Sequence, residues 1–201
     1  MQRIPPVDPA TLEGEIAEAY RNSPSGDNNF FRLQAQAPTA FWALRPFFRA
    51  IFAELQLDPF DRELVVLLVA ALEGGAYEWM QHEVIGASMG ITRAQMDALK
   101  AGQLTSPLFT PKQQALLAFA KQAVEDVRVD DPTFAAAHAH YGHRELVETL
   151  YTIGCYMMLA RISEVARLEL DAPTGINSLR AAEAEVKARR EAEAEARAAA
   201  G

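Results

Sequence analysis

Apolar residues recur along this chain at helical intervals, and no stretch of useful length alternates apolar with polar positions. The pattern predicts an all-α protein. The most apolar run, Leu64 to Leu72, is hydrophobic all round rather than along one stripe, so its helix should be central and buried. Asp58 stands where it can cap that helix, Pro59 where it can open it, and Gly74 and Gly75 where they end it. The next helix covers roughly Tyr77 to Met89 and closes at Gly90. Thr92 caps "RAQMDALKA", which Gly102 terminates, and Thr110 with Pro111 opens "KQQALLAFAKQAVED". Asp131 and Pro132 start "TFAAAHAHY", and "RELVETLYTIGCYMMLARISEVARLEL" reads as one long helix interrupted only by Gly154. Towards the N-terminus, "TLEGEIAEAY", "NFFRLQAQA" and "TAFWALRPFFRAIFAEL" give three more helices, and Pro46 should kink or divide the third.

After Pro173 and Gly175 the pattern changes. Residues 180–200 are almost wholly Ala, Glu, Arg and Lys, and Val186 is the only large apolar residue after Leu179. Pairs such as Glu183–Lys187, Glu185–Arg189 and Glu193–Arg197 have the favourable i,i+4 orientation. A charged helix without an apolar stripe has little to bury. The expected organisation is therefore one helical domain over 1–172, followed at 173–201 by an exposed, helical or disordered tail.

Half of the 201 residues are apolar, which fits a soluble globular protein able to bury a core without disulfide or metal staples. The single cysteine, Cys155, excludes an intrachain disulfide and fits a reducing cytosol. It lies in an apolar run and reads as a small hydrophobe. The opening "MQRIPPVDPA" has prolines and an Asp where a signal peptide needs an apolar stretch. Leu64–Leu72 is nine residues, against the ~20 that span a bilayer. A formal net charge of −8 argues against nucleic acid or an anionic membrane surface as partner. These features lead us to expect a cytoplasmic protein whose partner is a small-molecule substrate.

Candidate chemistry gathers beside the apolar helix. If Asp58–Leu72 and Tyr77–Met89 pair antiparallel, Glu63 lies ~13 Å and His82 ~8 Å from the turn at 1.5 Å per residue, level to within about one helical turn. Glu78 and His82 are i,i+4 neighbours, so the carboxylate can accept a hydrogen bond from the imidazole and fix its tautomer. One reading is an acid/base unit in which Glu78 orients His82, His82 transfers protons, and Glu63 is a second carboxyl across the helix pair. The other is an ordinary helix-surface pair, with Glu63 matched to Arg62. Spacing alone leaves both open. His138, His140 and His143 do not have zinc-like spacing, and no metal site is expected from them. Phe30, Phe31, Phe41, Trp42, Phe47, Phe48 and Phe52 form aromatic stripes that read as core or as subunit interface.

The stretch "RELVVLLVAALEGGAYEWMQHEVIGASMGIT" resembles the carboxymuconolactone decarboxylase/alkylhydroperoxidase D-like superfamily, in the single-domain "YEWxxH" form. "NFFRLQAQAPTAFWALRPFFRAIF" and "HYGHRELVETLYTIGCYMMLARISEVARLELD" are similar to that superfamily's first and closing helices, so the likeness covers about 25–172, with a family-like core at about 55–125. It implies an alkylhydroperoxidase D-like multi-helix bundle and a homo-oligomer (trimer, dimer or hexamer). His82 occupies the family's His position and Glu63 that of its upstream Glu. The two positions of the peroxidase C-x-x-C pair fall on Gly75 and Glu78, so thiol peroxidase chemistry at this site is excluded. The decarboxylase branch, with a Glu four residues before the His, implies a cofactor-free reaction on a small carboxylated lactone. His82 would donate the proton, with Glu78 orienting it and Glu63 as a second shuttle. Tyr77 and Trp79 would line the substrate site, and Arg62 or Arg161 would hold the substrate's carboxylate. A peroxidase-related protein without the redox cysteines and a non-catalytic small-molecule binding protein are the alternatives on the same fold.

Overall fold

The cap signals become helix ends in the computed structural model, which describes residues 2–25 and 27–200. Among the described residues ten α-helices follow one another: α1 Gly14–Arg21, α2 Asn29–Gln34, α3 Pro38–Ala53, α4 Pro59–Glu73, α5 Ala76–Met89, α6 Arg93–Lys100, α7 Pro111–Glu125, α8 Asp131–His138, α9 His143–Ala166 and α10 Gly175–Ala200. No strand occurs among the described residues, and no helix is long and apolar enough to cross a membrane. The Asp58 carboxylate accepts from the backbone N–H groups of Phe60 and Asp61, and Gly74 ends α4 at φ 67°, a left-handed conformation that glycine adopts without cost. Thr92 with Gln95, and Thr110 with Gln113, form reciprocal capping boxes on α6 and α7.

α4 is the central helix. Every residue from Asp61 to Ala70 is buried, because α5, α7 and α9 pack around it. An all-round apolar helix has no face to give to water, and the surrounding helices supply the cover. The acid at its start is accounted for locally: Asp61 accepts from the Tyr141 phenol at 2.8 Å and pairs with Lys112 at 3.1 Å. A charge buried this way is tolerated because it is paired and hydrogen-bonded.

Three expectations are sharpened. Of the two outcomes expected at Pro46, a kink or a division, the division does not occur, since α3 runs unbroken from Pro38 to Ala53 around it. The long helix stops at Ala166, because Arg167 takes a left-handed φ of 53° and leaves 167–170 outside it. The tail takes the helical form as α10, with 187–198 exposed and its earlier part packed against α3 and α5. Leu179 and Val186, seven residues apart on one face, are 2% and 3% exposed. Two such side chains contribute ~1.5–3 kcal/mol each when fully buried. The docking is reinforced by polar contacts. Gly175 N–H donates to Gln81 Oε1 at 2.8 Å, and the Ser25 and Ser178 hydroxyls bond one another. The intrahelical pair expected between Glu185 and Arg189 gives way to pairs across helices, Glu185 with Arg49 and Arg189 with Glu54.

Candidate active site

The tight Gly74–Gly75 turn folds α5 back along α4. Gly75 has a further role, because a Cβ there would lie 2.9 Å from Glu78 Oε2 and 3.0 Å from the Cβ of Ala160. The start of α5 thereby sits directly on α9. The antiparallel pairing brings Glu63 of α4 and His82 of α5 together, with Nδ1 of the imidazole 2.5 Å from Oε1 of the carboxylate. Both residues are buried, at 1% and 5% exposed. The ring is held from two sides, edge-on by Tyr156 at 4.8 Å and parallel to Phe52 at 6.5 Å. With Nδ1 engaged by a carboxylate, the tautomer carrying its proton on Nδ1 is favoured, and Nε2 is the nitrogen left for chemistry.

Glu78 does not orient the imidazole. Its Oε2 accepts a hydrogen bond from the Ser163 hydroxyl of α9 at 2.9 Å, and its Oε1 has no partner among the described residues. The i,i+4 spacing permits a Glu–His bond without requiring it. The close approach of α5 to α9 offers Ser163 instead. Burial raises the Glu78 pKa, only partly opposed by hydrogen bonds from its own backbone and from Ser163. Glu63 is backed by Arg62, whose guanidinium is 3.8 Å away and donates to the carbonyls of Ile51 and Phe52 at the end of α3.

His82 and Glu78 line a cavity of about 410 Å³ bounded by α2, α3, α5, α9 and α10. Its walls are largely apolar, with the aromatic side chains of Phe30, Phe41, Phe48, Phe52, Tyr77 and Tyr156 among them. Tyr77 donates its phenolic hydrogen to Asp171 at 2.9 Å, which fixes the ring at the cavity wall. Small residues of α10, including Ser178, Ala181 and Ala182, roof the space. Pockets of this size, apolar with a few convergent polar groups, are of the kind that hold small molecules.

The other expected substrate contacts lie elsewhere. Trp79 is turned away, its indole N–H donating to Glu83 at 2.8 Å and Lys100 lying 4.0 Å over its ring. Arg62 is buried behind Glu63 and does not line the cavity. Arg161 is exposed and paired with Glu73 at 2.5 Å. The cations that do line the cavity are Arg45 and Arg49 of α3, one turn apart. Their i,i+4 spacing within an aromatic helix was the available signal, but which face of α3 meets α5 is not written in that spacing. Cys155 is also on the lining, and burial pushes its thiol up to about 12. Of the C-terminal histidines, His138 and His143 stack at 4.4 Å, and His138 Nδ1 meets the Tyr141 carbonyl.

Comparison with known proteins bears on the fold. Residues 38–122 match the carboxymuconolactone decarboxylase family, a span from α3 into α7 that contains Arg45, Arg49, Glu63, Glu78 and His82. None of the curated proteins matches. Among solved structures, the chain is similar to an uncharacterized peroxidase-related protein from Ralstonia eutropha JMP134 with an alkylhydroperoxidase AhpD core (18% identity, TM-score 0.74, 86% of this chain and 94% of that one). It is similar also to an uncharacterized peroxidase-related protein from Silicibacter sp. TM1040 (16% identity, TM-score 0.72, 85% and 91%). A third is the debrominase Bmp8 in complex with 2,3,4-tribromopyrrole (16% identity, TM-score 0.72, 88% and 96%). At such identities the structural likeness establishes the fold. The match to the carboxymuconolactone decarboxylase family spans residues 38–122, and the solved structures show that the chain has an alkylhydroperoxidase AhpD-like fold.

Proposed function

We propose that the chain is a cofactor-free acid/base lyase acting on a small carboxylated, lactone-like or aromatic-catabolite substrate. The observation that carries this reading is the buried 2.5 Å contact between His82 and Glu63 at the wall of an aromatic cavity. A carboxylate-held imidazole with one nitrogen free is suited to pass a proton to and from a bound molecule. In a decarboxylation, the C–C bond electrons flow into the conjugated lactone carbonyl as carbon dioxide leaves, giving a dienolate. His82, protonated at Nε2, then gives its proton to carbon and regains one from solvent. Glu63 orients the ring and stabilises the imidazolium, and Glu78, whose pKa burial raises, stands as a second acid in the same wall.

The one cysteine leaves no partner for a thiol–disulfide cycle within the chain, which supports proton transfer over peroxidase chemistry. The test is carbon dioxide release from a panel of small carboxylated lactones. His82→Asn is expected to fold as the parent does and lose turnover. Unchanged turnover in that variant would overturn the mechanism. Ligand-induced stabilisation with no turnover on any substrate would leave a binding protein in its place.

We further propose that the chain works in the cytosol as a homo-oligomer whose contact includes the outer face of α9. Val147, Leu150, Tyr151 and Val165 share that face and are 45–59% exposed, a stripe of apolar surface that a second copy would cover. Gly154 lies within the stripe with open space where its Cβ would be, which allows two such helices to approach closely across a two-fold axis.

A further inference from the structure

The cavity's carboxylate-binding group follows from how its two arginines are already occupied. Arg45 is exposed, and its guanidinium lies over the rings of Phe41 and Trp42 at 5.4 and 5.8 Å. Arg49 sits one turn deeper along α3 and is half-buried. Its Nε donates to Glu54 at 3.2 Å and its Nη1 to Glu185 of α10 at 2.8 Å. The two carboxylates differ in how firmly they are held. Glu54 is gripped by two cations, since Arg189 also donates to it, and those bonds lower its pKa. Glu185 has Arg49 as its single ionic contact among the described residues, and its side chain is 62% exposed. Glu185 is thus the exchangeable partner. Arg49 and Glu185 both line the cavity that contains His82.

We propose that Arg49 is the residue that binds the substrate's carboxylate, and that Glu185 occupies it until a small organic acid with a planar, apolar body takes its place. This rests on the reading of the cavity as a substrate site. One carboxylate replaces another on the same guanidinium, so the exchange leaves no buried charge unpaired at any stage. Glu54 keeps the Arg49 Nε and holds the fork in position for a bidentate contact. The apolar body of the ligand lies among the aromatic side chains, Phe48 and Phe52 nearest along α3. Leu179 and Val186 keep α10 docked, so the exchange needs only the Glu185 side chain to swing into water. The helix that roofs the site thus also carries an internal competitor for it.

Benzoate and its uncharged counterpart benzamide serve as probes, with affinities measured by calorimetry on the full chain at low salt. Glu185→Gln removes the competitor and should tighten benzoate binding roughly two- to fivefold, the range expected for an exposed ion pair. Benzamide affinity should be unchanged in that variant. Arg49→Gln should abolish the preference for benzoate over benzamide, and Arg49→Lys should retain part of it. A Glu185→Gln variant that binds benzoate no tighter than the parent overturns the proposal. So does undetectable benzoate binding, or benzoate affinity that survives Arg49→Gln. None of these readouts involves turnover, so their failure is distinct from failure of His82→Asn to lose activity.

Discussion

The Glu63→Gln substitution probes the electrostatics at the centre of the site. It changes a buried carboxylate to an amide of nearly the same shape. Its neighbour Arg62 is 3% exposed, with one guanidinium nitrogen lacking any hydrogen-bond partner, and Glu63 is the carboxylate set against it at 3.8 Å. Removing one member of a buried pair strands the other and costs ~3–5 kcal/mol. The carbonyls of Ile51 and Phe52 still accept from Arg62, which puts the cost at the lower end, about 3 kcal/mol. With a urea m-value of ~2–3 kcal/mol per molar for a chain of this size, the midpoint should fall by roughly 1–1.5 M. The double variant with Arg62→Met should be more stable than the sum of the single effects predicts, because no charge is then left unpaired. Urea unfolding followed by circular dichroism measures both. A midpoint shift under about 0.3 M, or strict additivity in the double variant, would refute the view that Glu63 neutralises Arg62 as well as holding His82.

Because burial raises the folded-state pKa of Glu78 above its ordinary 4.5, the folded chain holds a proton there that the unfolded chain has lost. Stability should therefore fall as pH rises from 4.5 towards the folded value, and Glu78→Gln should flatten that part of the urea-midpoint profile while leaving it unchanged below. With its thiol pushed from 9.0 to about 12, Cys155 should carry roughly a thousandfold less thiolate than an unperturbed thiol. Labelling by a thiol reagent at pH 8 should be correspondingly slow, and a rate matching that of free cysteine would disprove its burial. Val186→Asp places a charge where Val186 is 3% exposed, so α10 should be cleaved by trypsin well before the rest of the chain; equal resistance would show that the helix docks by other means. Tyr151→Glu in the exposed stripe of α9 should lower the oligomeric mass seen by light scattering, and an unchanged mass would move the contact elsewhere.

The helix ends were legible wherever a cap and a proline or glycine coincide, as at Asp58–Pro59, Thr110–Pro111, Gly74 and Gly90, because those residues act through the backbone of their own neighbourhood. The burial of α4 was legible because an all-round apolar segment can only lie inside. What escaped the sequence depends on how faces meet. The spacing of Glu78 and His82 pointed to a local bond, while the actual partner of His82 comes from α4 across the helix pair. Arg62 and Arg161 stand near the motif or on the closing helix, yet neither turns towards the cavity, and Arg45 and Arg49 do. The docking of α10 rests on two apolar side chains in a charged segment, too sparse a pattern to register as an amphipathic stripe.

The roof over the cavity has an evolutionary corollary. The acid/base pair and the cavity's arginines lie within the residues matched to the family, whereas α10 lies wholly outside them. The roof of the cavity and the proposed proton-transfer pair are thus written in separable stretches of one gene. Changes in the face that carries Ser178, Ala181, Ala182 and Glu185 can reshape what the cavity admits, while the α4–α5 pair that would do the chemistry is inherited intact.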